Sequence, residues 1–314
     1  MYNVFNSTHH ASAPGMRTEV GHFLIDQRIM GLKPTLSIED QIHLLEKRGL
    51  IFEDADFAKQ FLLKNNYYRL NIYFHKFLDS NNLFQTRLNF QHIVDIYLND
   101  KWLRNKLLTI LEPIEIKART IIAYELGMKY GSDCFYRKEI YKNEIIHHEI
   151  QNAFSIEINR NRRDPIIQHH KHSYQGQFPI WVIVEFLSFN AISKLFGNLK
   201  EQDKKQIACH FVNVNENFLS QWLHVLSVQR NICAHYGYLY KREYAVRPRL
   251  YKEFKLDTNQ NNELFAQFLI MKKLSENDGW QDFIQLIKEK EETNPSFNLI
   301  DYGFPENWKY YLFN

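Results

Sequence analysis

Glycine and proline are scarce in this chain, with 11 and 8 residues in 314. An all-β design needs a turn roughly every 8–12 residues, so this scarcity argues against one and favours long helices. Cysteine is scarcer still: Cys134, Cys209 and Cys233 are odd in number and widely spaced, without a CxxC pair. That argues against a disulfide framework or a zinc knuckle and fits a reducing, cytoplasmic setting. No apolar run reaches the roughly 20 residues of a membrane-spanning helix. The richest, at 180–189, is interrupted by Glu185 and Ser188, and residues 20–25 are too short and too polar for a signal peptide. A soluble protein without a membrane partner is expected. Excess charge is also missing, and a formal +3 does not by itself announce nucleic acid. What the chain does hold is apolar mass: 45% hydrophobic residues, with 24 Phe, 18 Tyr and 5 Trp, enough for a substantial core. An all-α fold is expected.

Residues 1–33 carry no sustained period and read as an N-terminal arm. Residues 34–156 form an N-terminal helical half and 178–314 a C-terminal one, joined by a polar, basic, histidine-rich connection at 157–177; the two halves can also make one domain. Within the first half, Ser37-Ile38-Glu39-Asp40 is a capping box for a helix that Gly49 ends. Further helices are expected at 54–64 and 66–77. Residues 90–126 read as two helices, the second starting near Pro113, where proline suits a first helical turn. In the second half the pattern gives helices at 180–199, 201–211, 262–274 and 279–291, plus one running from Glu216 towards Tyr240.

That last helix carries the most informative residue. Leu219, Trp222, Leu226, Arg230 and Cys233 follow each other at steps of three and four, the spacing of one buried face. An arginine stands where a leucine is expected. Burying an unpaired guanidinium costs several kcal/mol, so it needs a carboxylate partner or a cleft where it meets an anion. Glu185, isolated among apolar neighbours, is the first candidate partner, and Glu115 the second. His235 follows five residues after Arg230. An Arg-x4-His spacing arises by chance about 0.7 times in a chain of this composition, so the bare pattern is weak. It occurs three times, at Arg17, Arg87 and Arg230, and only the third sits late in a strong amphipathic helix. Asn231, four residues before His235, can orient the imidazole.

The run RNICAH, between WLHVLS and LY, resembles the motif helix of HEPN domains, in particular those of Abi-like (AbiD/AbiF type) abortive-infection proteins. Other blocks appear in family order: LSIEDQIHLLEKRGL, NNYYRLNIYF, LRNKLLTILEPIEIKART, PIWVIVEFLSFNAISKLFGNLK and GFPENW. The similarity covers about residues 33–308. It implies a HEPN-type helical bundle with additional N- and C-terminal helices, and a metal-independent endoribonuclease with Arg230 and His235 as catalytic residues and Asn231 as their polar neighbour. It further implies a role in phage defence, as a toxin held in check by a small non-coding RNA. Where the family often continues with a second histidine, Tyr236 to Lys241 stand here.

Such chemistry needs no metal or cofactor. The RNA 2′-hydroxyl is the nucleophile, His235 can act as acid or base from an ordinary pKa near 6.5, and Arg230 offers forked donors to the phosphate. The product would be a 2′,3′-cyclic phosphate. One histidine does not conveniently serve both proton transfers, so a homodimer that pairs two motifs is expected. Arg160, Arg162, Arg163 and Lys171 in the connection, with Tyr236 and Lys241 after the motif, are candidate RNA contacts. His169, His170 and His172, with His147 and His148, lack carboxylate companions and a regular helical spacing, so no metal site is assigned. Tyr67, Tyr68 and Arg69 read as core aromatics with a salt bridge. The alternative function is a non-catalytic RNA-binding protein that keeps the HEPN fold as a scaffold.

Overall fold

The computed structural model describes residues 34–84, 87–254, 261–275 and 279–313; the expected arm at 1–33 lies outside them. Among the described residues the chain is all-helical, and β pairing is confined to isolated bridges such as Ile51 with Asn89. In chain order the helices are α1 (Ile38–Lys47), α2 (Ala55–Lys64), α3 (Tyr67–Phe74), α4 (Phe90–Tyr130), α5 (Glu144–Arg160), α6 (Pro165–Ser173) and α7 (Ile180–Phe186), followed by α8 (Phe189–Asn198), α9 (Glu201–Ala208), α10 (Glu216–Ala234), α11 (Leu264–Ser275), α12 (Trp280–Thr293) and α13 (Trp308–Phe313). Side-chain caps open many of them. Ser37 accepts from the Asp40 amide at 3.0 Å and Asp54 from the Phe57 amide at 2.8 Å, as N-caps should.

Helix α4 organises the rest. Its 41 residues run about 60 Å at 1.5 Å per residue, and α3, α7, α8, α9, α10, α11 and α12 all pack on it. The sequence pattern predicts two helices divided near Pro113, whereas α4 continues through that proline. An interior proline costs about 3 kcal/mol through a lost amide donor and a crowded carbonyl. Ile110, Leu111 and Ile114 flank it and are buried. Each contributes about 1.5–3 kcal/mol, which outweighs the penalty.

The opposite correction applies at 180–199. One helix is expected there, but the chain breaks into α7 and α8 at Leu187 and Ser188, both in extended conformation. Ser188 then caps α8, its hydroxyl accepting from the Ala191 amide at 3.2 Å. The break leaves carbonyls without helical donors, and Arg119 of α4 supplies them. Its Nη1 donates to the carbonyl of Val184 and, at 2.6 Å, to that of Leu187. The stretch at 157–177, expected as a polar connection, holds the end of α5 and all of α6, with Ile158, Ile167 and His170 buried.

Four buried charged residues of α4, Asp100, Arg104, Glu115 and Arg119, are spaced four, eleven and four apart. At 3.6 residues per turn that spacing places them on one helical face. Glu115 meets Arg230, Arg104 meets Gly237, and Asp100 meets Leu239 and Tyr240, so α10 and the segment after it run antiparallel to α4. Replacing Arg119 by methionine would strip two carbonyls and Glu115 of their donor. We expect Arg119→Met to lose about 3–5 kcal/mol in urea denaturation; an unchanged midpoint would show that the α7–α8 break does not need it.

Candidate active site

Helix α10 ends at His235, short of the expected run towards Tyr240. His235 is its C-cap and Tyr236 takes a left-handed φ of 61°. The Gly237 amide donates to the Ile232 carbonyl at 2.7 Å and the Tyr236 amide to the Cys233 carbonyl at 3.2 Å, a Schellman closure. A Cβ on Gly237 would stand 2.9 Å from Cγ2 of Ile232, so glycine is required there. Glycine is also the usual residue at the left-handed position, and a tyrosine in its place costs roughly 1 kcal/mol.

The turn after the motif is gripped from two helices. From α4, Arg104 Nη1 donates to the Gly237 carbonyl at 3.1 Å. Asp100, fully buried, accepts the Leu239 amide at 2.6 Å and the Tyr240 amide at 3.1 Å. Asp100 also accepts the Tyr73 hydroxyl at 2.7 Å and lies 3.6 Å from Arg104. Burial and the neighbouring carboxylate push the Tyr73 hydroxyl far up, so it remains a donor. From the α3 side, Arg69 donates to the Tyr236 carbonyl at 3.2 Å and Lys76 to the Lys241 carbonyl at 2.9 Å. None of these four side chains was assigned to the site from the sequence. The only local trace was the four-residue spacing of Asp100 and Arg104; their partners lie more than 130 residues further on.

Arg230 has its carboxylate, and it is Glu115. Arg230 Nε lies 3.4 Å from Glu115 Oε2, while Glu115 Oε1 binds Arg119. The other candidate, Glu185, is solvent-exposed on α7, because Ile180, Ile183, Val184 and Leu187 take the inner face and leave Glu185 on the outer one with Trp181. The Arg230 side chain keeps 39% of its exposure, so the guanidinium is oriented from inside and open outside. Asn231 accepts weakly from Arg230 Nη1 at 3.5 Å. It therefore sits with the arginine, and its expected side-chain bond to the imidazole is not made; only its backbone carbonyl accepts, from the His235 amide at 2.9 Å.

His235 lies elsewhere. It is exposed and lines a cleft of about 520 Å³ with Asn66, Tyr68 and Arg69 of the α3 segment and with Tyr236, Tyr238 and Arg242. Arg230 does not line this cleft, and no hydrogen bond or ion pair among the described residues joins the two motif side chains. Positions five apart stand about 140° apart around an ideal helix, which agrees with the separate surroundings of the two side chains. Cys233 between them is a packing residue, its thiol pushed up to about 12 by burial.

The remaining candidates scatter. Tyr236 lines the cleft, whereas the Lys241 Nζ lies 3.3 Å from Asp301 and close to the Tyr240 ring. Arg160, Arg162 and Arg163 surround the turn between α5 and α6, Arg160 paired with Glu157 at 2.6 Å, and Lys171 is exposed on α6. None of these four lines the His235 cleft. His147 stacks on Tyr141 at 4.0 Å and bonds to the Phe135 carbonyl, and burial lowers its pKa. His170 packs between Tyr174 and Phe178. Among the described residues no three His, Cys, Asp or Glu side chains are grouped to hold a metal ion, and no helix is long and apolar enough to cross a membrane.

Because Asp100 holds consecutive amides of the post-motif turn, its loss should be felt there first. Asp100→Ala is expected to speed hydrogen exchange at Leu239 and Tyr240 by at least tenfold and to lower stability by about 3–5 kcal/mol. Unchanged protection at those two amides would remove the anchoring role.

Searches of curated proteins and of solved structures returned no match. The family described as Abi-like protein matches residues 60–241, from within α2 to the turn after His235. That span is more than half of the chain and takes in Arg69, Asp100, Glu115, Arg230 and His235. The chain belongs to the Abi-like family.

Proposed function

We propose that the protein is a metal-independent endoribonuclease of the HEPN type that acts in abortive infection. Membership of the Abi-like family supports the defence role. One observation carries the catalytic reading. A half-exposed arginine, held on its inner edge by a buried carboxylate, stands one and a half turns before an exposed histidine at a helix end. Arg230 supplies donors for a phosphate that becomes more negative as the 2′-oxygen attacks, and His235 moves a proton to or from the reacting oxygens.

The two groups have separate surroundings in one chain, so the reading includes a homodimer. Two copies of α10 meeting at their C-terminal ends would give each phosphate an arginine and two imidazoles, one as base and one as acid. A small non-coding RNA that occupies this surface would hold the toxin in check. The second reading is an RNA-binding protein without catalysis, and what favours it is the absence of any bond between Arg230 and His235.

Purified protein in excess EDTA is expected to cleave RNA and leave 2′,3′-cyclic phosphate ends. His235→Ala should reduce the rate by about 10²–10⁴-fold, and Arg230→Ala by about 10²-fold or more. Equal cleavage by wild type and His235→Ala would refute the catalytic role, and RNA binding without cleavage would favour the second reading.

A further inference from the structure

The cleft beside His235 has a composition that the motif alone does not explain. It is lined by tyrosines and by the cations Arg69 and Arg242, and no carboxylate lines it. Tyr68 is 77% exposed and Tyr236 is 67% exposed, so neither ring is there to fill a core. Tyr236 moreover occupies the left-handed position, where glycine would be the easier residue and Gly237 is its neighbour. A strained backbone at a residue whose ring fills no core points to use of the side chain.

The cations are arranged around these rings. Arg69 Cζ lies 5.5 Å from the Tyr236 ring centre while its Nη1 holds the Tyr236 carbonyl, which covers one side of the ring and fixes its direction. Arg242 Cζ lies 4.7 Å from the Tyr238 ring, its Nη1 donates to the Tyr238 carbonyl, and its Nε is buried without a hydrogen-bond partner. Lys76, 5.7 Å from the Tyr238 ring, extends the basic side of the cleft. Aromatic faces interleaved with cations, with no acidic group to repel a phosphate, are what a single strand of nucleic acid requires: bases stack and the backbone follows the charges. A paired base has both faces occupied in its duplex and offers none to a tyrosine.

We propose that this cleft is a stacking platform for unpaired nucleotides of RNA, with Tyr68 and Tyr236 taking the bases and Arg69 and Arg242 the adjoining phosphates. It rests on the nuclease reading only in placing those nucleotides beside the cut site. Arg69 and Tyr68 thereby become specificity-determining residues, brought by the α3 segment to the end of the motif; 167 residues separate Arg69 from Tyr236.

The test is fluorescence anisotropy with a labelled 12-nucleotide single-stranded RNA, the same RNA annealed to its complement, and polyglutamate, using the full chain with His235→Ala so that no probe is cut. Tyr236→Gly is the informative variant, because glycine relaxes the left-handed turn and the protein should stay folded by thermal melting. Tyr236→Gly and Tyr68→Ala are each expected to weaken single-strand binding by about tenfold, equivalent to ~1.4 kcal/mol, and to leave duplex binding within twofold. Single-strand binding unchanged in both variants, a parent protein that prefers the duplex or binds neither RNA, or equal affinity for polyglutamate would each overturn the platform. Cleavage by the chain with native His235 is measured separately. If it fails while the binding pattern holds, the nuclease reading falls and the platform stands; cleavage that is indifferent to both tyrosines sinks the platform alone.

Discussion

A buried carboxylate on the longest helix fixes where the motif helix stops. Asp100 has no solvent exposure and meets Arg104, Tyr73 and two consecutive backbone amides beyond His235. Burial raises the pKa of this carboxyl and the donors around it work the other way; a carboxyl taken out of water is tolerable only with that many donors. Satisfying it therefore demands that the chain leave the helix at His235 and continue along α4 as a turn whose amides face Asp100. The left-handed Tyr236, the close approach of Gly237 to Ile232 and the opening of the cleft all follow from that turn. Without it, the histidine would be one more residue on a helix face.

Glu115 does the corresponding work for the arginine. It stands between Arg230 and Arg119, so one carboxylate ties the motif helix to α4 and, through Arg119, to the carbonyls freed where α7 ends. Two guanidiniums on one carboxylate leave a net positive charge, which would suit the phosphate of the proposed substrate. The arrangement also separates two jobs within a single ion network: Arg119 is committed to structure, whereas Arg230 keeps an exposed edge.

Much of the helical content was legible because apolar spacing and caps are local. Ser37 and Asp54 cap where their side chains suggest, and the stripe Leu219, Trp222, Leu226 and Cys233 is buried as its period requires. The failures share a cause. At Pro113 and at the α7–α8 junction the structure departs from the local pattern because propensity loses to distant partners, namely the core around Ile110 and Ile114 and the guanidinium of Arg119. Glu185 falls short for a related reason: its apolar neighbours suggest burial, but packing of α7 on α4 takes up Ile180, Ile183, Val184 and Leu187 and leaves Glu185 on the outer face. Tyr68 and Arg69, read as core, proved to lie on the cleft beside the histidine. Position along the chain made the arginine and histidine visible, but the groups that aim them come from α3 and α4, which no spacing rule connects to residue 235.

The anchors of the motif precede it by more than a hundred residues: 139 separate Asp100 from Leu239 and 167 separate Arg69 from Tyr236. During translation at roughly 5–20 residues per second, α4 would wait on the order of ten seconds before its carboxylates met their partners. A nascent chain can thus build its long helix before the turn after His235, which closes only once about three quarters of the 314 residues have been made.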